Sequence, residues 1–259
     1  MKVQDIINAI EAVVPVSSAC EWDNPGLLCG CADDTVSAVL TALDVDEAVI
    51  REAIAVGANL ILTHHPIMFR GIKKITDDTP DGRAIRLLIQ NNINLYAAHT
   101  NLDSLQNNCD VYLFNVLGAT DIKIIDKTSE NAGLGRIGTL KKPLLPAELA
   151  SAVKTALNCE HVRLAIGSTD KISKIAACSG DGTDYIAAAL QMGAEAFITG
   201  DCKYHSVKDA VFCGMTVIDA GHFHTETYYK TILKQIITGK FSNLKVYCSE
   251  SEKDVFAIV

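Results

Sequence analysis

Short apolar runs of strand length alternate along this chain with segments whose apolar residues recur at helical spacing. The run SAVLTAL (37–43) predicts a strand, DEAVIREAIAVGA (46–58) predicts a helix that closes on a glycine, and NLILT (59–63) predicts a buried strand. Strands that are joined through a helix lie parallel in one sheet. The alternation continues over 82–125, so the sequence predicts an α/β layered fold with a mainly parallel sheet.

The same alternation resumes after a polar stretch at 126–135. Predicted strands over 195–199 and 215–220 are each followed by a predicted helix, over 203–214 and over 222–238. We therefore expect two α/β domains, with the polar stretch at the seam between them.

Bulk composition limits the classes of partner. The 259-residue chain carries a formal net charge of −8 and has no run of Lys or Arg longer than two residues, so we do not expect it to bind nucleic acid. Acidic residues interrupt the N-terminal segment and no long apolar run occurs, so we expect neither a signal peptide nor a membrane span. Nine cysteines without C-x-x-C spacing fit a reducing compartment, and we expect a cytoplasmic protein. The CGC triplet at 29–31 could be a thiolate pair for a soft metal or could simply line a turn.

Histidines and an acidic residue follow two of the predicted strands. His64 and His65 end the strand over 59–63, and Asp103 lies just beyond the next predicted strand, which ends near His99. Functional side chains in α/β sheets collect at the carboxyl ends of strands. Successive residues of a regular strand point to opposite faces, so the adjacent pair can act together only if the strand ends there.

His222 and Glu226 follow a third predicted strand and stand four residues apart at the start of a predicted helix. This spacing puts both on one face, where they could bind one metal ion or two adjacent ions. With His64, His65 and Asp103 they make three imidazoles and two carboxylates, too many ligands for one catalytic ion and too few to saturate two. The sequence thus predicts a centre of two divalent metal ions, with zinc, iron and manganese all compatible with the ligands. Such a centre would lower the pKa of bound water and supply a metal-bound hydroxide for hydrolysis.

Other polar residues near these strand ends each have two interpretations. His99, His205 and His224 could transfer protons to a leaving group or could be hydrogen-bonded loop residues. Asp201 could orient a metal ligand or cap a helix. A basic segment beyond the histidine pair could contact a phosphate or could be a solvated loop: Arg70, Lys73 and Lys74. Each metal-ligand candidate taken alone could also be an ordinary hydrogen-bonded side chain, so the hypothesis rests on their convergence.

Five motifs in order carry a resemblance that spans nearly the whole chain: WDNPGLLCG (22–30), LTHHPIMF (62–69), AAHTNLDS (97–104), TGDCKYH (199–205) and GHFHTE (221–226). With them the chain resembles the NIF three-like family, whose members are named GTP cyclohydrolase 1 type 2 homologues. The resemblance implies a dinuclear metal centre whose ligands fall on His64, His65, Asp103, His222 and Glu226.

The family's architecture gives further expectations. The resemblance implies two interwoven α/β domains, with the metal site in the cleft between them, and a toroidal homohexamer. In this chain we expect a first domain of 1–125 that is completed by 215–259, and a second domain of 126–214. The chain is too short for the additional domain that some family members insert between the halves.

Three classes of function remain open at the level of sequence. The leading hypothesis is a metal-dependent hydrolase that acts on a nucleotide or another small anionic compound. The alternatives are a metal-binding regulatory or interaction protein without turnover, and a metal storage protein. A coordination shell left open to water favours catalysis, whereas a closed shell favours structure or storage.

Overall fold

Two sheets with helices packed against them organise the chain in the computed structural model, which describes residues 1–129 and 131–257. The strands in chain order are β1 (Gly26–Cys29), β2 (Val39–Ala42), β3 (Leu60–Thr63), β4 (Asn94–Ala97), β5 (Ala119–Lys127), β6 (Gly133–Leu144), β7 (Arg163–Ala165), β8 (Ile172–Ala177), β9 (Ala196–Thr199), β10 (Thr216–Asp219) and β11 (Val246–Cys248). The helices are α1 (Val3–Glu11), α2 (Glu47–Val56), α3 (Pro80–Gln90), α4 (Thr100–Asp103), α5 (Cys109–Leu117), α6 (Pro146–Ala156), α7 (Ile186–Gln191), α8 (Tyr204–Phe212), α9 (His222–Glu226) and α10 (Tyr229–Lys240). Short 3₁₀ turns occur at Val16–Ser18 and Thr183–Tyr185.

The chain divides into two compact units. The first unit contains Met1–Leu102 and the segment from Thr227 onward, and the second unit contains Asp103–Glu226. The first unit therefore contains residues from both ends of the sequence. The boundaries predicted at 125 and 215 refer to domains that fold independently. The division into compact units does not test independent folding, so these boundaries stay a prediction.

The sheet of the first unit has the order β1-β4-β3-β2-β11. Strands β4, β3, β2 and β11 are parallel neighbours, and β1 adds an antiparallel edge. All four residues of β3 are buried, as expected for a central strand of a parallel sheet. The predicted α/β fold with a mainly parallel sheet is confirmed in this unit, and the edge strand β1 is an element that the sequence did not predict.

Helix ends in the first unit follow ordinary capping chemistry. The side chain of Asp46 accepts a hydrogen bond from the backbone N–H of Val49 and so caps α2. The same helix stops at Gly57, whose φ of +72° is left-handed and favours glycine. These ends fix where β3 begins and hence where its carboxyl end delivers the following residues.

The sheet of the second unit has the order β5-β6-β8-β9-β10-β7. Strands β8, β9 and β10 are parallel, whereas β5, β6 and β7 pair antiparallel with their neighbours. The polar stretch at 126–135 joins β5 to β6 within this unit. The carboxyl ends of the three parallel strands carry the polar loops that matter below.

Two other sequence-based expectations meet the structure here. The single helix predicted over 222–238 is wrong, because the chain forms two helices, α9 and α10, with a break at 227–228. In the part of the chain that the structure describes, no helix combines the length and apolarity needed to cross a membrane. All nine cysteines are free thiols.

Candidate functional site

In the first unit, the adjacent histidines leave the strand instead of continuing it. Strand β3 ends at Thr63, and the Thr63 hydroxyl donates a 2.8 Å hydrogen bond to the backbone carbonyl of His65. The imidazole rings of His64 and His65 then lie side by side, with centroids 4.9 Å apart. Because the pleat no longer applies, both rings can serve one site.

His99 joins this pair. It follows β4, which lies next to β3 in the sheet, so the carboxyl ends of two neighbouring parallel strands supply all three rings. The centroid of the His99 ring is 5.0 Å from that of His64 and 5.5 Å from that of His65. One ring nitrogen from each histidine lies within 4.8 Å of the other two, which is close enough for a shared metal ion.

Each of these imidazoles is anchored through Nδ1. His64 Nδ1 lies 3.0 Å from the carbonyl of Ala98, and His65 Nδ1 lies 2.8 Å from Oδ1 of Asp44. His99 Nδ1 lies 2.8 Å from Oδ1 of Asp23. Carbonyl and carboxylate oxygens only accept hydrogen bonds, so we assign the ring hydrogen to Nδ1 and the lone pair to Nε2. This is the arrangement in which a histidine binds metal while its other nitrogen is held by an acceptor.

The carboxylate that holds His99 is itself strongly bound. Oδ2 of Asp23 accepts hydrogen bonds from the backbone N–H of Thr100 at 2.9 Å and from the Thr100 hydroxyl. Burial alone would raise the pKa of Asp23, but the hydrogen bonds from His99 and Thr100 outweigh it and hold the pKa at about 2. Asp23 is therefore ionised throughout the neutral range and keeps His99 in one orientation.

A buried tyrosine packs against one of these two histidines. The ring of Tyr229 stacks on His64 with centroids 4.1 Å apart and an interplanar angle of 18°. Tyr229 is fully buried at the start of α10. Sequence reasoning assigned no role to Tyr229, Asp23 or Asp44, because their partners lie far away along the chain.

In the second unit, His222 and Glu226 lie on one face of α9, as their spacing predicts. His222 Nε2 and Glu226 Oε2 are 2.8 Å apart. His222 Nδ1 lies 2.9 Å from Oδ2 of Asp201, so we assign the ring hydrogen to Nδ1. An unprotonated Nε2 would then face the Glu226 carboxylate oxygen, and two hydrogen-bond acceptors repel each other. A second proton on the ring or a cation bound by both atoms removes this repulsion.

The spacing of that pair also fits a metal ion. Two donor atoms that are each about 2.1 Å from one ion, and at a right angle, are about 3 Å apart. The observed Nε2–Oε2 distance in His222 and Glu226 is close to this value. This distance is equally that of a charge-assisted hydrogen bond, so it is the imidazole and carboxylate donor set that suits a divalent cation.

Gly180 lets the Glu226 carboxylate lie against the backbone. Gly180 follows β8 and has a left-handed φ of +68°. A Cβ at this position would lie 2.3 Å from Glu226 Oε1 and 3.3 Å from His222 Nε2, closer to the oxygen than real Cβ atoms come. Only glycine leaves this space for the two side chains.

Asp201 orients His222 and does not cap a helix. The residue before α8 is Lys203, and Asp201 stands in the preceding loop with a left-handed φ of +49°. Asp219 holds this loop, because its carboxylate accepts hydrogen bonds from the backbone N–H of Cys202 at 3.2 Å and of Gly221 at 3.0 Å. One carboxylate thus connects the loop of Asp201 to the loop that leads into His222.

Asp103 and Asp110 add further negative charge in the second unit. Asp103 ends α4, and the Asn108 side chain donates a 2.7 Å hydrogen bond to its carbonyl. Burial raises the pKa of Asp110 to about 7, Arg136 opposes this rise, and the charges of Asp103 and Glu226 add to it. Neighbouring carboxylates that raise the pKa of a buried acid in this way make an electrostatic environment that a cation stabilises.

The other predicted residues have different surroundings. His205 is exposed and packs edge-on against Tyr204, with centroids 5.2 Å apart. His224 packs edge-on against Phe223 at 5.4 Å. Neither of these contacts is with a predicted metal ligand, and the proton-transfer roles of both histidines stay predictions. The basic segment Arg70, Lys73 and Lys74 is exposed.

Comparison with known proteins agrees with the motifs. The chain matches the family model of Duf34/NIF3 (NGG1p interacting factor 3) over residues 1–255. It is 38% identical over 262 residues to a Clostridium perfringens protein named GTP cyclohydrolase 1 type 2 homolog, and the match covers 100% of both chains. Another protein of that name, from Lactococcus lactis, is 31% identical over 259 residues, which cover 99% of each chain.

Solved structures agree as well. The crystal structure of a Staphylococcus aureus hypothetical protein has a TM-score of 0.93 and 32% sequence identity, and the match covers 100% of this chain and 99% of that chain. A Bacillus cereus protein described as related to NIF3 has a TM-score of 0.93 at 25% identity, with the same coverage. The family predicted from five short motifs is confirmed: this chain belongs to the Duf34/NIF3 family.

Proposed function

We propose that this protein is a dinuclear metal-dependent hydrolase that acts on a nucleotide or another small anionic compound. In this proposal His64 and His65 from the first unit and Asp103, His222 and Glu226 from the second hold two divalent ions. Imidazole and carboxylate donors without thiolate are compatible with zinc, iron or manganese.

The observation that carries the proposal is the anchoring of the imidazoles. In His64, His65, His99 and His222 alike, Nδ1 lies within 3.0 Å of a carbonyl or carboxylate oxygen. Structural histidines need no such uniformity, whereas metal-binding histidines nearly always have it because it fixes the tautomer and the ring orientation. All three histidines of the proposed ligand set, His64, His65 and His222, are anchored in this way, which favours ligation over separate structural roles.

The residues around the centre have separable tasks. When bound, two divalent ions would supply an acidified water molecule and a clamp for an anionic oxygen. Asp44 and Asp201 orient His65 and His222 through Nδ1. His99, fixed by Asp23, is the group of the cluster that we assign to proton transfer, because it is not needed to complete the five-ligand set.

Metal content tests the centre directly. Protein that is stripped with a chelator, reloaded with Zn²⁺ and desalted should contain about two ions per chain by elemental analysis. Glu226→Gln should lose most of this metal, since it removes a charged ligand, whereas Glu160→Gln changes an exposed glutamate elsewhere in the second unit and should not. One ion or none in the native protein, or full loading of Glu226→Gln, would contradict the proposal.

Turnover against pH tests the reaction. Histidines bind metal only as neutral imidazoles, so metal should be lost below their ordinary pKa of about 6.5. A hydrolase should in addition show a rise of activity with pH while the metals stay fully bound, because a water molecule must lose a proton. Metal occupancy and hydrolysis of nucleotides and small amides are measured on the same samples. Full occupancy without turnover of any compound would favour a binding or storage protein instead.

On the motif resemblance we also propose that the protein is a homohexamer, and on the N-terminal segment and the cysteine pattern that it is cytoplasmic. No contact within a single chain bears on this part of the proposal.

A further inference from the structure

Two large aromatic side chains are exposed beside the histidine cluster of the first unit. Trp22, the chain's single tryptophan, is 64% exposed, and Phe69 is 48% exposed. Both rings pack edge-on against His99, with centroids 5.9 Å and 5.4 Å from it. Exposed aromatic rings that adjoin polar groups are typical of binding surfaces, since leaving them in water is unfavourable.

The two rings are also neighbours of each other. Their centroids are 6.5 Å apart and their planes are tilted by 32°. This distance is near the upper end of the range for rings in direct contact, so much of each face stays accessible. Trp22 and Phe69 together form what we call the aromatic corner.

Hydrogen bonds hold the aromatic corner in place. Trp22 precedes Asp23, which binds His99 and Thr100, as described above. The next residue, Asn24, donates from its side chain to the carbonyl of Met68 at 2.6 Å and so ties the turn of Trp22 to the segment of Phe69. A surface that is already ordered loses little conformational entropy when a ligand binds.

A short basic segment follows the aromatic corner in the sequence. Arg70, Lys73 and Lys74 lie within five residues of Phe69 and are exposed, and the nearest acidic residues after them are at positions 77 and 78. Of the two acidic residues that flank Trp22, Asp23 is already engaged by His99 and Thr100. The three exposed cations are the groups next to Phe69 that can bind an anion.

We propose that the aromatic corner binds the planar ring of the substrate, and that the basic segment from Arg70 to Lys74 binds an anionic group carried by that ring system. The ligand class is therefore a planar heterocycle with a phosphate or carboxylate, rather than a purely aliphatic anion. This inference rests on the proposed function for the reaction, but ring binding itself uses no metal. Stacking beside His99 would place the ligand next to the group assigned to proton transfer.

Binding measurements separate the ring from the anion. The probes are adenosine, guanosine and uridine 5′-monophosphates, with ribose 5-phosphate as the anion without a planar base and adenosine as the base without a phosphate. Stacking on the single tryptophan should quench its fluorescence, and calorimetry gives the affinity independently of that signal. We expect at least one nucleoside monophosphate to bind at least about fivefold more tightly than ribose 5-phosphate, the lower end of what one stacked ring contributes.

Matched variants locate the site. Phe69→Ala should weaken nucleoside monophosphate binding by about 5- to 150-fold, the range for loss of one ring contact. Phe212→Ala removes a phenylalanine that is 91% exposed outside the aromatic corner and should have no effect. Trp22→Phe keeps a ring and should retain binding by calorimetry. A double change of Lys73 and Lys74 to Ala should weaken the monophosphates but leave adenosine binding unchanged.

The outcomes distinguish this inference from the proposed function. All titrations are run on chelator-treated and on Zn²⁺-loaded protein. Ring-dependent binding in protein that holds no metal would uphold the aromatic corner while the metal centre fails. Normal metal loading with equal affinities for ribose 5-phosphate and every monophosphate, or equal effects of Phe69→Ala and Phe212→Ala, would overturn the inference. The inference would also be overturned if tryptophan emission changed when the protein is diluted but not when a ligand is added. That result would mean that a second copy of the chain covers the rings.

Discussion

Replacing Gly180 by alanine should damage the candidate site more than it damages the fold. The backbone at Gly180 cannot retreat, because its N–H donates to the Thr225 hydroxyl at 3.0 Å and its carbonyl accepts from the Gly200 N–H at 2.8 Å. An alanine Cβ would lie 2.3 Å from Oε1 of Glu226, whose side chain is only 5% exposed. The carboxylate must therefore move, and it must give up its position beside His222.

The magnitude follows from two separate costs. A left-handed φ of +68° costs a non-glycine residue about 1 to 2 kcal/mol. Crowding of a buried side chain by an added methyl group costs about 1 to 3 kcal/mol more. Gly180→Ala should then lower the free energy of unfolding by about 2 to 5 kcal/mol in total.

Gly214 supplies the matched control. It lies in the same unit with a φ of +85°, and a Cβ built there meets nothing within 4 Å. Gly214→Ala should lower the free energy of unfolding by only about 1 to 2 kcal/mol, which is the cost of a left-handed φ for alanine, and should bind metal normally. The difference between the two variants isolates the displacement of the Glu226 carboxylate.

Both variants are compared by thermal unfolding without metal and by Zn²⁺ titration against a competing chromophoric chelator. Each kcal/mol corresponds to a shift in Tm of about 2 to 4 °C in a domain of 150 to 250 residues. Gly180→Ala should show the lower Tm and a clearly weaker Zn²⁺ affinity. If the two variants matched in both measurements, the close approach of Gly180 to Glu226 would have no bearing on the site.

Three other predictions test the surroundings of the site and the assembly. Asp201→Asn should weaken Zn²⁺ binding by about 10- to 100-fold, because it removes the charge that holds His222 Nδ1. The control Asp209→Asn changes an exposed residue of α8 and should leave Zn²⁺ affinity unchanged, and equal affinities of the two variants would contradict the orienting role. The pKa of Asp23 is lowered from 3.8 to about 2, so this residue stabilises the fold by about 1 to 2 kcal/mol above about pH 4 and the effect is lost as the pH falls through its folded pKa. Urea midpoints of metal-free protein should thus fall more steeply with acid in the native chain than in Asp23→Asn, and parallel curves would refute this. Light scattering should give the mass of six chains, and a monomer that persists at all concentrations would refute the hexamer.

The strand ends were readable from sequence because their signals are local. The apolar run before His64 fixed β3 to within one residue at each end, and the rule for carboxyl ends of parallel strands then grouped His64, His65 and His99. The i, i+4 spacing of His222 and Glu226 placed both on one face of α9 in the same way. The strand and the helix face each follow from fewer than ten consecutive residues, and the grouping with His99 adds only the rule for neighbouring parallel strands.

Two of the residues that hold the histidines were not readable, because their partners are distant in sequence. Asp23 is 76 residues from His99, and Asp44 is 21 residues from His65. For Asp201 the sequence offered the orienting role as one of two interpretations, but it did not identify His222 as the partner. No periodicity or spacing links such pairs, so only the folded chain reveals them. The break between α9 and α10 was missed for a different reason: neither glycine nor proline marks residues 227 and 228.

The short segment from Trp22 to Asn24 contacts both the histidine cluster and the proposed ring-binding surface. In the sequence it stands out only as the start of the motif WDNPGLLCG, whereas in the structure each of its three residues has a separate contact or exposure. Asp23 fixes His99, Asn24 fixes the segment of Phe69, and Trp22 leaves a ring exposed between them. The same turn thus contacts a histidine of the cluster and carries part of the proposed ring-binding surface, with the Trp22 ring centroid 5.9 Å from that of His99. A planar ligand stacked on Trp22 would lie beside that imidazole, and the size of its ring would decide which of its atoms is nearest to His99.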